Sequence, residues 1–239
     1  NKCIICEILI DMSIKKIIAI GSAKGGVGKS TITAALASSL SKKYKVGVLD
    51  ADIYGPNQHI LFNIKSKPEF ITLNNKKLIK PFIKQNIEMI SMGLILDSNK
   101  AAAWRGPMLS GAVKQLSNST NWSNLDYLLI DMPPGTGDAY LTIFKDMNID
   151  NFIIVTTINN LAFADVKKTI NLVEKFNIPI LGYVENNILG SDIIEDNIFQ
   201  KKKIKKLGSF KFNKKMEQFN IANIIEEADE IAELLSKKC

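Results

Sequence analysis

The run Lys24-Gly25-Gly26-Val27-Gly28-Lys29-Ser30-Thr31 lies between a short β-branched stretch, Ile17-Ile18-Ala19-Ile20, and good helix sequence, Thr31-Ile32-Thr33-Ala34-Ala35-Leu36-Ala37. That order predicts a strand, a glycine turn and a helix. Gly25, Gly26 and Gly28 let the backbone take positive φ and turn successive N–H groups inward, while the N-terminus of the next helix adds partial positive charge. The product is a phosphate-binding loop. Lys29 is placed to reach the β- and γ-phosphates of a nucleotide, and Ser30 to hold Mg²⁺. The plain pattern G-x-x-x-x-G-K-[ST] is not met in full, because its first glycine position is Ala23. A second lysine, Lys24, stands at the front of the loop. Two lysines on one nucleotide suggest that one serves a neighbouring subunit.

A chain of 239 residues, 46% hydrophobic and 23% charged, has the material for one large α/β domain. Compact apolar runs recur at residues 46–50, 87–92, 125–131, 152–156 and 180–185, with helical stretches at 111–116, 139–147 and 163–176 between them. The alternation predicts a P-loop NTPase fold: a mostly parallel central sheet with helices on both faces, a three-layer sandwich in a single domain. Ligand sites then fall at the carboxyl ends of the strands. Residues 63–82, rich in lysine and asparagine, read as an exposed excursion. Met12-Ser13-Ile14-Lys15-Lys16 reads as a natural start just before the first strand, so residues 1–11 are expected to be an extension and residues 12–239 the ATPase domain.

Net charge is +7, almost all from lysine, with Arg105 the single arginine. Together with the many isoleucines and asparagines this is a compositional bias, and no nucleic-acid partner is expected from it. No apolar run approaches the ~18 residues of a membrane helix, and the segment 4–10 lacks the basic front and cleavage site of a signal peptide. A cytoplasmic protein is the expectation. The three cysteines, Cys3, Cys6 and Cys239, sit at the two ends, which excludes a disulfide framework through the body. Cys3-x-x-Cys6 is the one metal-like spacing, a candidate pair of metal or cluster ligands. His59, the only histidine, is expected at the surface.

Asp50-Ala51-Asp52-Ile53-Tyr54-Gly55-Pro56 follows the second strand, with two carboxylates at alternate positions where the chain leaves the sheet. Asp52 is expected to orient the attacking water and Asp50 to anchor the turn or the Mg²⁺ shell. Leu128-Leu129-Ile130-Asp131 is an apolar strand ending in aspartate, the form of a Walker B element, where Asp131 supports Mg²⁺ through water. It continues as Met132-Pro133-Pro134-Gly135-Thr136-Gly137-Asp138, in which Pro134 and Gly135 bring backbone close to the γ-phosphate. Binding of ATP is therefore expected to involve Ala23, Lys24, Gly25, Gly26, Val27, Gly28, Lys29, Ser30, Thr31, Pro134 and Gly135.

These residues resemble the deviant P-loop ATPases of the MinD/ParA class, and within them the Mrp/ApbC group of iron–sulfur cluster carriers. The resemblance rests on the two-lysine loop, the 50–56 turn, Trp104-Arg105-Gly106-Pro107-Met108, the segment 131–138, and Gly182-Tyr183-Val184-Glu185-Asn186-Asn187. It implies a slow Mg²⁺-dependent ATPase that works as a homodimer, carries a [4Fe–4S] cluster and meets iron–sulfur client or assembly proteins. It also implies that Lys24 crosses the dimer interface as a catalytic residue beside Lys29 and Asp52, and that Asn186 reads adenine. Arg105 brings a planar fork able to make bidentate contacts.

The chain departs from that family at the cluster site. Mrp/ApbC proteins usually carry C-P-x-C shortly after the Val-Glu-Asn turn, and here residues 187–196 contain no cysteine. The frequent N-terminal accessory domain is not expected either, with about sixteen residues ahead of the first strand. Two other functions remain open: a partitioning or positioning ATPase of the ParA or MinD type, and a scaffold ATPase that has lost its cluster. The lysines at 201, 202, 203, 205 and 206 raise the first, although a solvated helix face is the commoner origin of such a run. The C-terminal helix expected at 224–235 is acidic and is no basic membrane anchor.

Overall fold

The computed structural model describes residues 13–22, 24–95, 106–157, 160–187, 198–211 and 226–238. The β-branched run seen in the sequence becomes β1 (Ile14–Ser22), buried from Ile18 onward because it crosses the middle of a sheet covered on both sides. Around it the chain forms α1 (Lys29–Leu40), β2 (Val46–Asp50), α2 (Gln58–Leu61), β3 (Phe70–Leu73), β4 (Lys76–Ile79), β5 (Phe82–Lys84), β6 (Ile87–Ser91) and α3 (Met92–Ile95). There follow α4 (Gly106–Ser119), β7 (Leu125–Pro134), α5 (Asp138–Asp146), β8 (Asn151–Thr156), α6 (Asn160–Lys175) and β9 (Ile180–Asn187). Last come α7 (Ile198–Lys201), β10 (Lys206–Lys211) and α8 (Glu226–Lys238).

Eight strands make one sheet in the order β10-β9-β8-β1-β7-β2-β6-β5, parallel throughout except for β5 against β6. Side chains alternate across each strand, so two cores form. Ile18 and Ile20 of β1 pack with α1 and α8 on one face, while Ala19 packs with α4, α5 and α6 on the other. This is the expected three-layer, mostly parallel sandwich.

The expected excursion is exposed, but it is ordered: β3 and β4 pair antiparallel in a separate two-stranded sheet. The lysine run at 201–206 is no helix face. α7 ends at Lys201 after four residues, and Lys206 already belongs to β10, the edge strand paired parallel with β9. Lys202 is spent on Glu174 at 2.8 Å, and Lys206 pairs with Glu185.

Candidate nucleotide site

Parallel register sets the site. β7 lies between β1 and β2, and Asp50 at the end of β2 is the register partner of Asp131 on β7. The two carboxylates therefore emerge level with each other beside the turn that follows β1. In that turn Gly26 has φ 79° and Gly28 φ 85°, the left-handed region that a side chain resists. A Cβ at Gly28 would come 2.2 Å from Asn186 Nδ2. Gly28 caps α1, whose first turn holds no acidic residue, so its free N–H groups face a cavity of about 350 Å³. Ser22, the loop from Lys24 to Thr31, Asp52, Asn57, Ile60, Leu61 and Pro134 line that cavity.

At its base the Lys29 ammonium lies 2.7 Å from Asp131 Oδ1 and 3.6 Å from Asp52 Oδ2. The Lys29 side chain is 6% exposed and that of Asp131 0%. Burial pulls the Lys29 pKa down, but Asp131 and then Asp52 more than offset it, and the ammonium is held above its ordinary 10.5. Asp52 Oδ1 accepts the N–H groups of Tyr54 and Gly55, each at 3.0 Å, which leaves Oδ2 toward the lysine. Asp50 is wholly buried and works as an anchor. It accepts the N–H groups of Asp52 and Gln58 at 3.1 and 3.0 Å and the Ser91 hydroxyl at 2.7 Å. Burial, with the Asp131 charge behind it, pushes its carboxyl up to about 8.

Gln58 and Ser91 carry no sequence signature that marks them, yet both are structural parts of the site. Gln58 Nε2 donates to the Ser30 carbonyl and to Asp131 Oδ2, both at 2.9 Å, tying the phosphate loop to the end of β7. Its Oε1 is buried with no donor. Asn186 Nδ2 donates to the Val27 carbonyl at 2.8 Å and so supports the loop from below. Gly135 has φ 82°, turning the chain just past β7. Lys24 is exposed at the mouth. His59 is half-buried rather than superficial, with Nδ1 3.3 Å from Ser91 Oγ. Ala23, Arg105, Cys3 and Cys6 lie outside the described residues.

A family profile described as ParA, NUBPL iron-transfer P-loop NTPase, matches residues 13–237. The chain belongs to this family. An iron–sulfur cluster carrier protein from Rickettsia conorii is 49% identical over 175 residues, which is 73% of this chain and 54% of the relative. Another from Aquifex aeolicus is 44% identical over 196 residues, 80% of this chain and 53% of the relative. The chain thus spans about half the length of the curated relatives it matches. Among solved structures, a nucleotide-binding protein from Archaeoglobus fulgidus in complex with ADP superposes with TM-score 0.70 at 31% identity, covering 92% of this chain and 88% of its own. This member of the ParA family also contains, among its described residues, no helix long and apolar enough to cross a membrane.

Proposed function

We propose that the chain binds and hydrolyses ATP with Mg²⁺ and, as a homodimer switched by the nucleotide, serves as an iron–sulfur cluster carrier or assembly protein. The observation that carries this reading is the buried Lys29, fixed between Asp131 and Asp52 at the mouth of a glycine-rich helix N-terminus. An ammonium has three N–H groups, and Asp131 takes one, so others serve phosphate oxygens. The loop amides and the α1 terminus add donors where negative charge gathers. Asp52, with one oxygen held by two backbone N–H groups, keeps the other for the water that attacks the γ-phosphorus. That water's oxygen forms the new P–O bond as ADP leaves.

The oxygen set near Ser30 fits a hard cation: the Ser30 hydroxyl, the Asp131 carboxylate and the undonated Gln58 Oε1. Mg²⁺ held there would neutralise phosphate charge. Lys24, exposed at the mouth, is assigned to a partner's nucleotide, and Asn186 to the adenine end. The cluster is cargo. Among the described residues there is no cysteine, so its ligands are sought at Cys3 and Cys6 or in a second protein.

Steady-state ATPase and ADP titration calorimetry on Lys24→Ala and Lys29→Ala test the proposal. Lys24→Ala should abolish hydrolysis with less loss of nucleotide binding than Lys29→Ala. Equal ATPase rates for wild type and Lys24→Ala refute the lysine that acts across the dimer. The partitioning alternative is weakened by the ion pairs that occupy Lys202 and Lys206.

A further inference from the structure

A second cavity, of about 440 Å³, opens beside the nucleotide cavity and shares a wall with it, since Ile60 lines both. Its size falls within the roughly 300–1,000 Å³ of small-molecule sites. Two lysines, Lys65 and Lys67, contribute to its lining, and no carboxylate residue does. Neither lysine has an ion-pair partner among the described residues, although the same excursion contains a glutamate. Glu69 is taken by Lys80 at 3.1 Å, and Lys77 lies over the Phe70 ring at 4.4 Å. The local acid and the local aromatic are used up. The two lysines of the cavity stay uncompensated.

The cavity is also built rather than incidental. His59 forms part of it, and the ring is fixed: Ser91 Oγ lies 3.3 Å from Nδ1, accepts the Gly93 N–H at 3.1 Å and donates to Asp50 at 2.7 Å. A Cβ on Gly93 would meet His59 Cε1 at 2.4 Å, so glycine there leaves the room the ring occupies. Ile60, Ile64 and Leu94 add apolar surface to the same lining. Lys65 and Lys67 are two residues apart, at most about 7 Å between Cα atoms, and the cavity is far larger than one compact anion needs. Two separated positive charges beside apolar surface match two carboxylates joined by a short carbon chain.

We propose that this cavity binds a small dicarboxylate, with Lys65 and Lys67 each taking one carboxylate and the carbon chain lying on Ile60 and Leu94.

Because the chain has one histidine, the His59 Cε1–H resonance is a unique reporter inside the site. Glutarate would be titrated into the full chain at constant ionic strength, with butyrate and sodium chloride as parallel titrants. A saturable shift is expected, with a dissociation constant of about 1 mM or tighter and at least tenfold weaker binding of butyrate. Lys65→Gln/Lys67→Gln should abolish it, and these exposed positions leave the fold intact. Lys24→Ala, at the exposed mouth of the phosphate loop, should leave it unchanged, which separates this cavity from the nucleotide site. The proposal is overturned by any of four results: no saturable shift, equal binding of butyrate, survival of the shift in the double lysine variant, or its loss in Lys24→Ala.

Discussion

Lys29→Met removes the charge that neutralises the base of the nucleotide site while keeping a chain of similar length. Asp131 then sits fully buried with one of its two charge-assisted contacts gone, retaining only the Gln58 amide at 2.9 Å on its other oxygen. Asp52 suffers less, because Tyr54 and Gly55 still donate to it. Breaking a buried pair from one side costs about 3–5 kcal/mol, and the surviving Gln58 contact places this case near 3. With a urea m-value at the upper end of the usual range, about 3 kcal/mol per M, the unfolding midpoint should fall by roughly 1 M. The companion Lys29→Met/Asp131→Asn removes the orphaned charge and should recover most of that loss. Because the folded pKa of Lys29 is raised, its contribution is complete below about 10.5 and is lost only as pH rises through the folded value, so the difference between wild type and variant should be the same at pH 6 and pH 8. Urea unfolding followed by circular dichroism is the assay. A single variant within about 1 kcal/mol of wild type, or a double variant no better than the single, would refute the view that this pair is an energetically coupled unit.

Gly28→Ala should weaken ADP binding at least tenfold by calorimetry, since a Cβ would press on Asn186 at 2.2 Å and φ is 85°. Gly26→Ala, with the same sign of φ but nothing within 4 Å, should lose less; the reverse ranking would contradict the cradle geometry. Burial lowers the His59 pKa from its ordinary 6.5. The unfolded chain therefore takes up this proton first, and the group's effect is nil above about 6.5 and destabilising as pH drops below it, which an NMR titration of the single imidazole checks by a midpoint under 6.5. Asp50, pushed up to about 8, keeps its proton where the unfolded chain has lost one, so stability should decline as pH rises from about 4 to about 8. Urea midpoints that decline equally in wild type and Asp50→Asn would remove Asp50 as the cause.

What was legible in the sequence was whatever is local. The phosphate loop is eight consecutive residues between a β-branched run and a helix former, and Asp131 ends an uninterrupted apolar strand. The central strands were likewise readable, because full burial on both faces demands continuous apolar runs. β5, the β3–β4 hairpin and β10 were not, since they are short, carry lysines and are held by neighbours rather than by their own composition. Gln58 and Ser91 were invisible for a different reason. Their partners lie 73 and 41 residues away in the chain, brought close only by the order of β7, β2 and β6. The carboxylate pair at Asp50 and Asp52 was found, but only the three donors on Asp50 assign it to anchoring.

The same sheet constrains where a cluster can be held. Asn186 touches Val27 in the phosphate loop at 2.8 Å, and β9 ends one residue later. The segment in which the proteins this chain resembles carry their cysteines thus begins just after a contact with the loop, and a shift of the loop would have a direct lever on it. Here that lever ends in a segment without cysteine. A nucleotide that moves the loop should therefore be felt at the end of β9 whether or not a thiolate follows it. Asn186→Ala cuts the contact to the Val27 carbonyl, and amide hydrogen exchange along β9 should then no longer respond to ADP. An undiminished response in that variant would refute the lever.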